Sequence, residues 1–210
     1  MITARRDYGK RFLDESDCPD QPLPMLQVWL DEALKSSEDA NAMVLSTCVE
    51  QRPSSRVVLV RDISDRGLTF YTNYNSRKGR ELAVNPQASL NFFWPQEERQ
   101  VRLEGRVEKL TEAESDAYFA TRPRISQIGA WASEQSAVVS SRDELDQRFR
   151  AMEERFADAD VPRPPYWGGY LFIPHAVEFW QGRPGRLHDR ILYEMAPGTP
   201  EQWRRVRLSP

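Results

Sequence analysis

The chain has 210 residues, 40% of them hydrophobic, enough for one folded domain whose core needs no metal or disulfide staple. Its 29 Lys and Arg against 32 Asp and Glu leave a net charge of −3, the wrong balance for a protein that must neutralise nucleic-acid phosphates. Two cysteines without CxxC spacing (Cys18, Cys48) and two histidines (His175, His188) argue against a thiolate zinc site and exclude a multi-histidine metal centre.

In chain order, residues 1–22 are polar, end in PDQPLP and read as an arm ahead of a single domain over 23–210. The opening MITARRDYGKRF lacks the apolar centre of a signal peptide. No apolar run reaches the ~20 residues that span a bilayer, so a cytoplasmic protein is expected. From Pro24, the residues Leu26, Trp29, Leu30, Ala33 and Leu34 recur at helical spacing and predict one apolar helix face. Ala42–Val49, Ser55–Arg61 and Leu68–Asn73 read as short strands separated by turn chemistry in QRPS and SDRG. Ser76–Val84 reads as a short helix capped by Ser76 and stopped by Pro86. Ala88–Trp94 is another strand, and residues 99–110 alternate, with Val101, Leu103 and Val107 on one side and Gln100, Arg102, Glu104, Arg106 and Glu108 on the other.

Thr111 with Glu114 marks a capping box for a helix to about Thr121. Ser141 with Glu144 marks a second, whose helix carries Leu145, Phe149, Met152 and Phe156 on one face. VPRPP at 161–165 is a stiff connector, and four β-rich runs follow at 167–173, 176–181, 187–194 and 202–208. Clustered strands without strict βαβ alternation predict a mainly β fold, an antiparallel barrel or sheet with surrounding helices.

Three clusters carry chemistry. In VEFWQGRPGRLHDR, strand periodicity puts Arg186, His188 and Arg190 on one face, a cationic row that repels itself unless an anion or electron-rich ring lies over it. The other reading is a solvated edge strand whose charges blunt pairing. In YTNYNSRKG, a strand end opening a helix offers free N–H groups together with Ser76, Arg77 and Lys78, either a phosphate cradle or an ordinary capped helix. In YFATRPRIS, Tyr118, Arg122, Arg124 and Ser126 offer a second phosphate site or a basic helix terminus.

Together these segments resemble the pyridoxine 5'-phosphate oxidase family, in order along nearly the whole chain: RRDY, ANAMVLST, SSRVVLVR, FYTNYNSRKGREL, FFWPQEERQVRLEG, YFATRPRISQIGAWAS, WGGY and VEFWQGRPGRLHDR. The resemblance implies a split β-barrel homodimer with FMN at the subunit interface. It implies oxidation of pyridoxine 5'-phosphate or pyridoxamine 5'-phosphate by O2 to pyridoxal 5'-phosphate, while the charge balance and the lack of a long apolar run lead to no nucleic-acid or membrane partner being expected. It implies FMN contacts from Arg56, Val57, Val58, Leu59, Val60, Tyr71, Thr72, Ser76, Arg77, Lys78, Gln100, Gln135, Ser136, Trp180 and Arg190. Substrate contacts are implied for Arg5, Tyr8, Arg61, Tyr118, Arg122, Ser126, Arg186 and His188. Arg186 and His188 are the expected catalytic pair, His188 accepting a hydrogen bond or proton from the C4' substituent.

Arg61 stands where the family usually has Lys, and Ile125 where polar or small residues are usual. Arg56 and Arg61 would face opposite sides of a flat strand, so a twist, a bulge or a strand end is expected near 61. Two alternatives remain open, a related flavoprotein acting on a phenazine precursor and a non-catalytic binder of FMN or pyridoxal phosphate. A nucleic-acid contact through RRVR at 204–207 is the remote third.

Overall fold

The structure, a computed structural model, describes residues 7–196 and 202–210. Strands β1 (Ala42–Val49) and β2 (Arg52–Leu59) form a hairpin in unbroken register from Ala42↔Leu59 to Val49↔Arg52. Glu50 and Gln51 make its turn with φ of 50° and 61°, the paired left-handed geometry that matches strand twist. QRPS is therefore not the turn: Arg52, Pro53 and Ser54 are already strand, and Pro53 is tolerated because β2 lies at the sheet edge. The strand expected to run to Arg61 ends at Leu59. There Val60 donates to the Asn41 carbonyl and Arg61 to that of Thr69, which resolves the facing of Arg56 and Arg61. A short strand β3 (Asp62–Ser64), not foreseen, pairs with β4 (Gly67–Asn73).

Strands β5 (Gln87–Trp94) and β6 (Arg99–Lys109) lead to β7 (Trp167–Gln181), the axis of the molecule. The two runs expected at 167–173 and 176–181 are one strand; Pro174 is accommodated where β6 shifts register between Glu104 and Gly105. One edge of β7 pairs with β6 along its length. The other edge pairs first with β4, through Trp167–Phe172, then with β8 (Asp189–Met195), through Ala176–Gln181. Strand β9 (Trp203–Arg207) follows β8, and every pairing is antiparallel. The sheet thus divides along β7, which is the split β-barrel architecture.

The first helix, α1 (Pro22–Leu34), starts two residues before the expected Pro24, with proline in its first turn where no N–H is needed. It buries Met25, Leu26, Trp29, Leu30 and Ala33, while Leu34, expected on the same face, is exposed. These side chains meet Met43, Leu45, Phe92, Leu103, Val177, Phe179 and Tyr193 from the inner face of the sheet. The preceding segment is bound to that core by the chain itself. Leu13 and Cys18 are buried in it, Leu13 N–H donates to Asp189 (3.1 Å), and Tyr193 Oη donates to the Pro19 carbonyl (2.8 Å). RRVR serves the same attachment, Arg205 donating to the Cys18 and Pro19 carbonyls and Arg207 pairing with Glu15 and Asp189.

Helices α2 (Arg77–Val84), α3 (Glu112–Thr121), α4 (Arg124–Ala132) and α5 (Arg142–Arg155) complete the described chain. The cap at Ser76 and the full capping box at Thr111 form as the sequence predicts, whereas at Ser141 the cap forms but the expected box does not close, because Glu144 Oε2 accepts the Ser140 N–H (2.9 Å) and hydroxyl (2.6 Å) instead. Helix α4 was not anticipated: it follows α3 across Arg122-Pro123 and has no side-chain cap. Its Ile128 joins Phe119, Phe156, Val161 and Trp167 in a second, smaller core.

Gly168 sits where that core meets the sheet. A Cβ there would lie 2.2 Å from Tyr74 Oη and 2.9 Å from Ser115 Oγ, and these hydroxyls bond the Gly169 carbonyl and N–H. Gly168→Ala is expected to destabilise the fold by about 1–3 kcal/mol. The urea midpoint checks this, and an unchanged midpoint would mean that Tyr74 yields without cost.

Candidate active site

A cleft of about 450 Å³ lies between the β2 end, β4, the start of α2, and the α3–α4 pair. Its walls bring together Val57, Val58, Leu59, Arg61, Tyr71, Thr72, Lys78, Tyr118, Arg122, Ser126 and Gln135 from the expected set. Asn73, Gly129, Ala130, Ser133 and Trp167, which sequence reasoning passed over, line it as well. The rings of Tyr71, Tyr118 and Trp167 are parallel within 12°, Tyr71 and Tyr118 stacking at 3.7 Å. Val60 is not a wall residue; its side chain is buried in the core. Ile125 faces the neighbouring apolar hollow with Leu145 and Phe149.

Among the described residues, the lining holds three cations, Arg61, Lys78 and Arg122, and no carboxylate. Arg122 lies over the Trp167 ring at 4.6 Å, and its Nη1 is buried with no hydrogen-bond partner. Burial and then the Arg61 charge weaken the Arg122 guanidinium's hold on its proton, with Tyr118 opposing. Burial, then the Arg56 charge, does the same to the Lys78 ammonium. A buried donor left unpaired costs about 1–3 kcal/mol, more when charged. This chemistry fits a ligand bearing phosphate.

The start of α2 is organised differently from expectation. Lys78 Nζ reaches Thr72 Oγ1 (3.0 Å) and Gln135 Oε1 (2.9 Å), and Ser136 Oγ accepts the Arg77 N–H (3.2 Å). Gln135 and Ser136 therefore sit at the helix start, Ser136 with a left-handed φ of 72°. Ser76 is fully buried, its hydroxyl donating to the Asn73 carbonyl (2.7 Å) and accepting the Gly79 N–H (3.2 Å), so it serves as a cap and does not line the cleft. Arg56 and Arg77 share one carboxylate, Glu81, at 2.8 Å each. Thr47 and Ser54 hydroxyls donate to the same group at 2.6 and 2.7 Å. Glu81 was missed because its spacing reads as an ordinary i,i+4 helix pair; its partners on β1 and β2 are invisible to local pattern.

The remaining expected residues gather elsewhere. Gln100 and Trp180 are register partners, as are Trp180 and Arg190. His188 packs on Trp180 at 4.6 Å, with Tyr8 edge-on to both rings at 5.6 and 5.9 Å. Arg5 lies outside the described residues. Strand β8 begins at Asp189, so the expected row of Arg186, His188 and Arg190 on one strand face does not form. Gly185 and Arg186 instead turn through left-handed φ of 64° and 63°, a tight reversal that throws Arg186 outward and exposed.

His188 Nδ1 accepts the Arg183 N–H at 3.1 Å. Burial and the Arg186 charge, against Asp189, lower its proton affinity. With Nδ1 accepting, Nε2 is the nitrogen left to carry the ring proton. Arg190 Nε bonds Glu178 at 2.8 Å, and Arg102 reaches the same buried carboxylate from the next strand. Burial opposes ionisation of Glu178, yet hydrogen bonds from Arg190 and Arg102 hold its carboxyl below the usual range.

Among the described residues, the cleft lining includes none of Tyr8, Gln100, Trp180, Arg186, His188 or Arg190. Trp167 and Trp180 begin and nearly end β7, separated by on the order of 40 Å of extended strand. The residues expected in one site therefore fall into two groups at opposite ends of β7.

A divided antiparallel barrel with a cationic cleft places the chain in the split-barrel class of proteins. Residues 30–156 match the family model for pyridoxamine 5'-phosphate oxidase. Residues 167–210 match that for the pyridoxine 5'-phosphate oxidase C-terminal dimerisation region. The chain belongs to the pyridoxine/pyridoxamine 5'-phosphate oxidase family. It is 55% identical to the pyridoxine/pyridoxamine 5'-phosphate oxidase of Cupriavidus taiwanensis and 52% to that of Burkholderia thailandensis, covering 100% of this chain and 99% of each relative. Among solved structures it resembles PhzG from Burkholderia lata in complex with tetrahydrophenazine-1-carboxylic acid, at TM-score 0.89 and 32% identity over 97% of this chain and 100% of that one. An FMN-binding protein from Nostoc punctiforme shares the fold at TM-score 0.72 and 15% identity, over 92% of this chain and 100% of that one.

Glu81 supplies a pH test. Burial opposes its charge, but bonds from Thr47, Ser54, Arg77 and Arg56 lower its pKa from 4.5 to about 2. A carboxyl with depressed folded pKa adds stability that is complete above the unfolded value and lost as pH falls through the folded one. The stability gap between wild type and Glu81→Gln is expected to be full near neutrality and to shrink between pH 4.5 and about 2. Denaturant titration across that range checks it; a gap independent of pH would mean that the charge is not what Glu81 contributes.

Proposed function

We propose that the chain is an FMN-dependent oxidase converting pyridoxine 5'-phosphate or pyridoxamine 5'-phosphate to pyridoxal 5'-phosphate, with O2 as electron acceptor. Hydrogen peroxide is the co-product, with ammonia from the amine substrate. The observation that carries this reading is the cleft with Arg61, Lys78 and Arg122, no carboxylate, and a buried guanidinium N–H without a partner. A phosphate dianion would supply both the missing charge and the missing acceptor.

In this reading Lys78, Gln135 and Ser136 hold the phosphate end of FMN, with Arg56 and Arg77 reinforcing the field. Arg61, Tyr118, Arg122 and Ser126 take the substrate phosphate, Arg61 standing in for lysine with a planar fork that accepts phosphate two-pronged. FMN, when bound, supplies the hydride acceptor and returns its electrons to O2. The protein's part is placement and electrostatics. Neutral His188 offers Nε2–H to the C4' oxygen or nitrogen, so the substrate's own proton leaves by water. Arg186 covers the substrate ring, and Arg190, oriented by Glu178, brings positive charge to the flavin.

The two groups of site residues lie at opposite ends of β7, which supports assembly as a homodimer in which the His188 end of one copy meets the cleft of the other. A cytoplasmic setting belongs to the same reading, in keeping with the unpaired thiols Cys18 and Cys48. The likeness to PhzG keeps a phenazine-type substrate in view, but paired Arg61 and Arg122 suit a dianionic phosphate better than a single carboxylate.

The purified protein is expected to be yellow, to release FMN on denaturation, and to form peroxide with pyridoxine 5'-phosphate and not with a dihydrophenazine carboxylate; the reverse preference would sink the reading. Arg122→Ala should raise KM for the phosphorylated substrate by roughly 10–100-fold, the worth of hydrogen bonds to a charged group, without loss of bound FMN. Arg186→Ala and His188→Ala should fold and retain FMN but lose turnover, and unchanged kcat/KM in both would refute their roles.

A further inference from the structure

Glu98 belongs to neither group of site residues, yet it is only 3% exposed and sits in the β5–β6 turn with a left-handed φ of 55°. Glycine or asparagine is the natural choice at such a backbone position. A glutamate there accepts a backbone penalty and must also bury a carboxylate, and what compensates is found in the N-terminal segment. Its Oε2 accepts the N–H of Gly9 (2.8 Å) and of Lys10 (3.0 Å). Its own carbonyl accepts Gly182 N–H (2.8 Å) and Gln181 Nε2 (3.1 Å). Lys10 Nζ adds a bond to the Gln96 carbonyl at 2.6 Å. One residue therefore ties together the N-terminal segment, the β5–β6 turn and the end of β7.

The residue before Gly9 is Tyr8, whose ring stands against Trp180 and His188. Gly182 makes room for it, since a Cβ there would lie 2.7 Å from Tyr8 Cβ. The carboxylate thus fixes the backbone one residue from the ring that closes over His188.

We propose that Glu98 is a positioning residue for the oxidase substrate, latching the N-terminal segment so that Tyr8 stays packed on Trp180 and His188. The proposal rests on the functional reading above. It goes further in assigning retention of substrate to a buried carboxylate that touches neither substrate nor cofactor.

The test uses the FMN-loaded protein with Glu98→Ala, Glu98→Gln, Tyr8→Ala and the Glu98→Ala/Tyr8→Ala double variant. Hydrogen exchange at Gly9 and Lys10 and tryptic cleavage after Lys10 read the latch without substrate. Glu98→Ala is expected to speed both by on the order of tenfold or more and to raise KM for pyridoxine 5'-phosphate more than it lowers kcat. Glu98→Gln, which keeps an acceptor oxygen, should fall between, and it carries the test if the alanine variant does not fold. Because the latch acts through Tyr8, the double variant should be no worse in KM than Tyr8→Ala alone. Unchanged exchange at residues 9 and 10, or KM effects that multiply as independent ones do, would overturn the latch. A wild type inactive on both phosphorylated substrates would overturn the functional reading instead, with exchange still deciding the latch.

Discussion

A β-strand has two hydrogen-bonding edges, and the way β7 spends them organises this molecule. It pairs with β6 along most of its fifteen residues with one register shift, while β4 and β8 divide its other edge. The division opens the barrel. It also sets Trp167 against the cationic cleft and Trp180 beside His188, at separate ends of one strand. No side chain is long enough to join such ends, so the two groups stay apart within one chain.

Charge sorts the basic residues into two kinds. Arg56 and Arg77 converge on Glu81, and Arg102 and Arg190 on Glu178; each carboxylate is largely buried and satisfied from more than one element. Breaking such a pair by removing one partner is expensive because it strands the other charge. These arginines are therefore held in place whether or not a ligand is present. Arg61, Lys78 and Arg122 face one another without an acid in the cleft, and burial already weakens the proton affinity of the last two. A fold tolerates such a grouping when an anionic ligand is its counterpart.

The N-terminal segment illustrates the same economy of acids. Glu98 holds Gly9 and Lys10, while Asp189 takes the N–H of Leu13 and the guanidinium groups of Arg183 and Arg207. Residues 7–21 are in this way part of the sheet's own hydrogen-bond network, and the segment read from sequence as a polar arm contributes Leu13 and Cys18 to the main core.

Signals confined to a few neighbouring residues were legible in the sequence alone. The Thr111–Glu114 box, the Ser76 and Ser141 caps and the alternation through 99–110 each depend on atoms within one turn or one strand, and each appears as read. Segment order was enough to indicate the family and most residues of the cleft. Long-range pairing decided the rest. The merger of two runs into β7 and the strand break at Val60 are set by partners distant in sequence. So are the tasks of Glu81, Glu98 and Glu178, whose hydrogen bonds reach across 34, 89 and 76 positions. A carboxylate's neighbours on other strands leave no periodicity in its own segment, and only the folded chain shows which charges it answers.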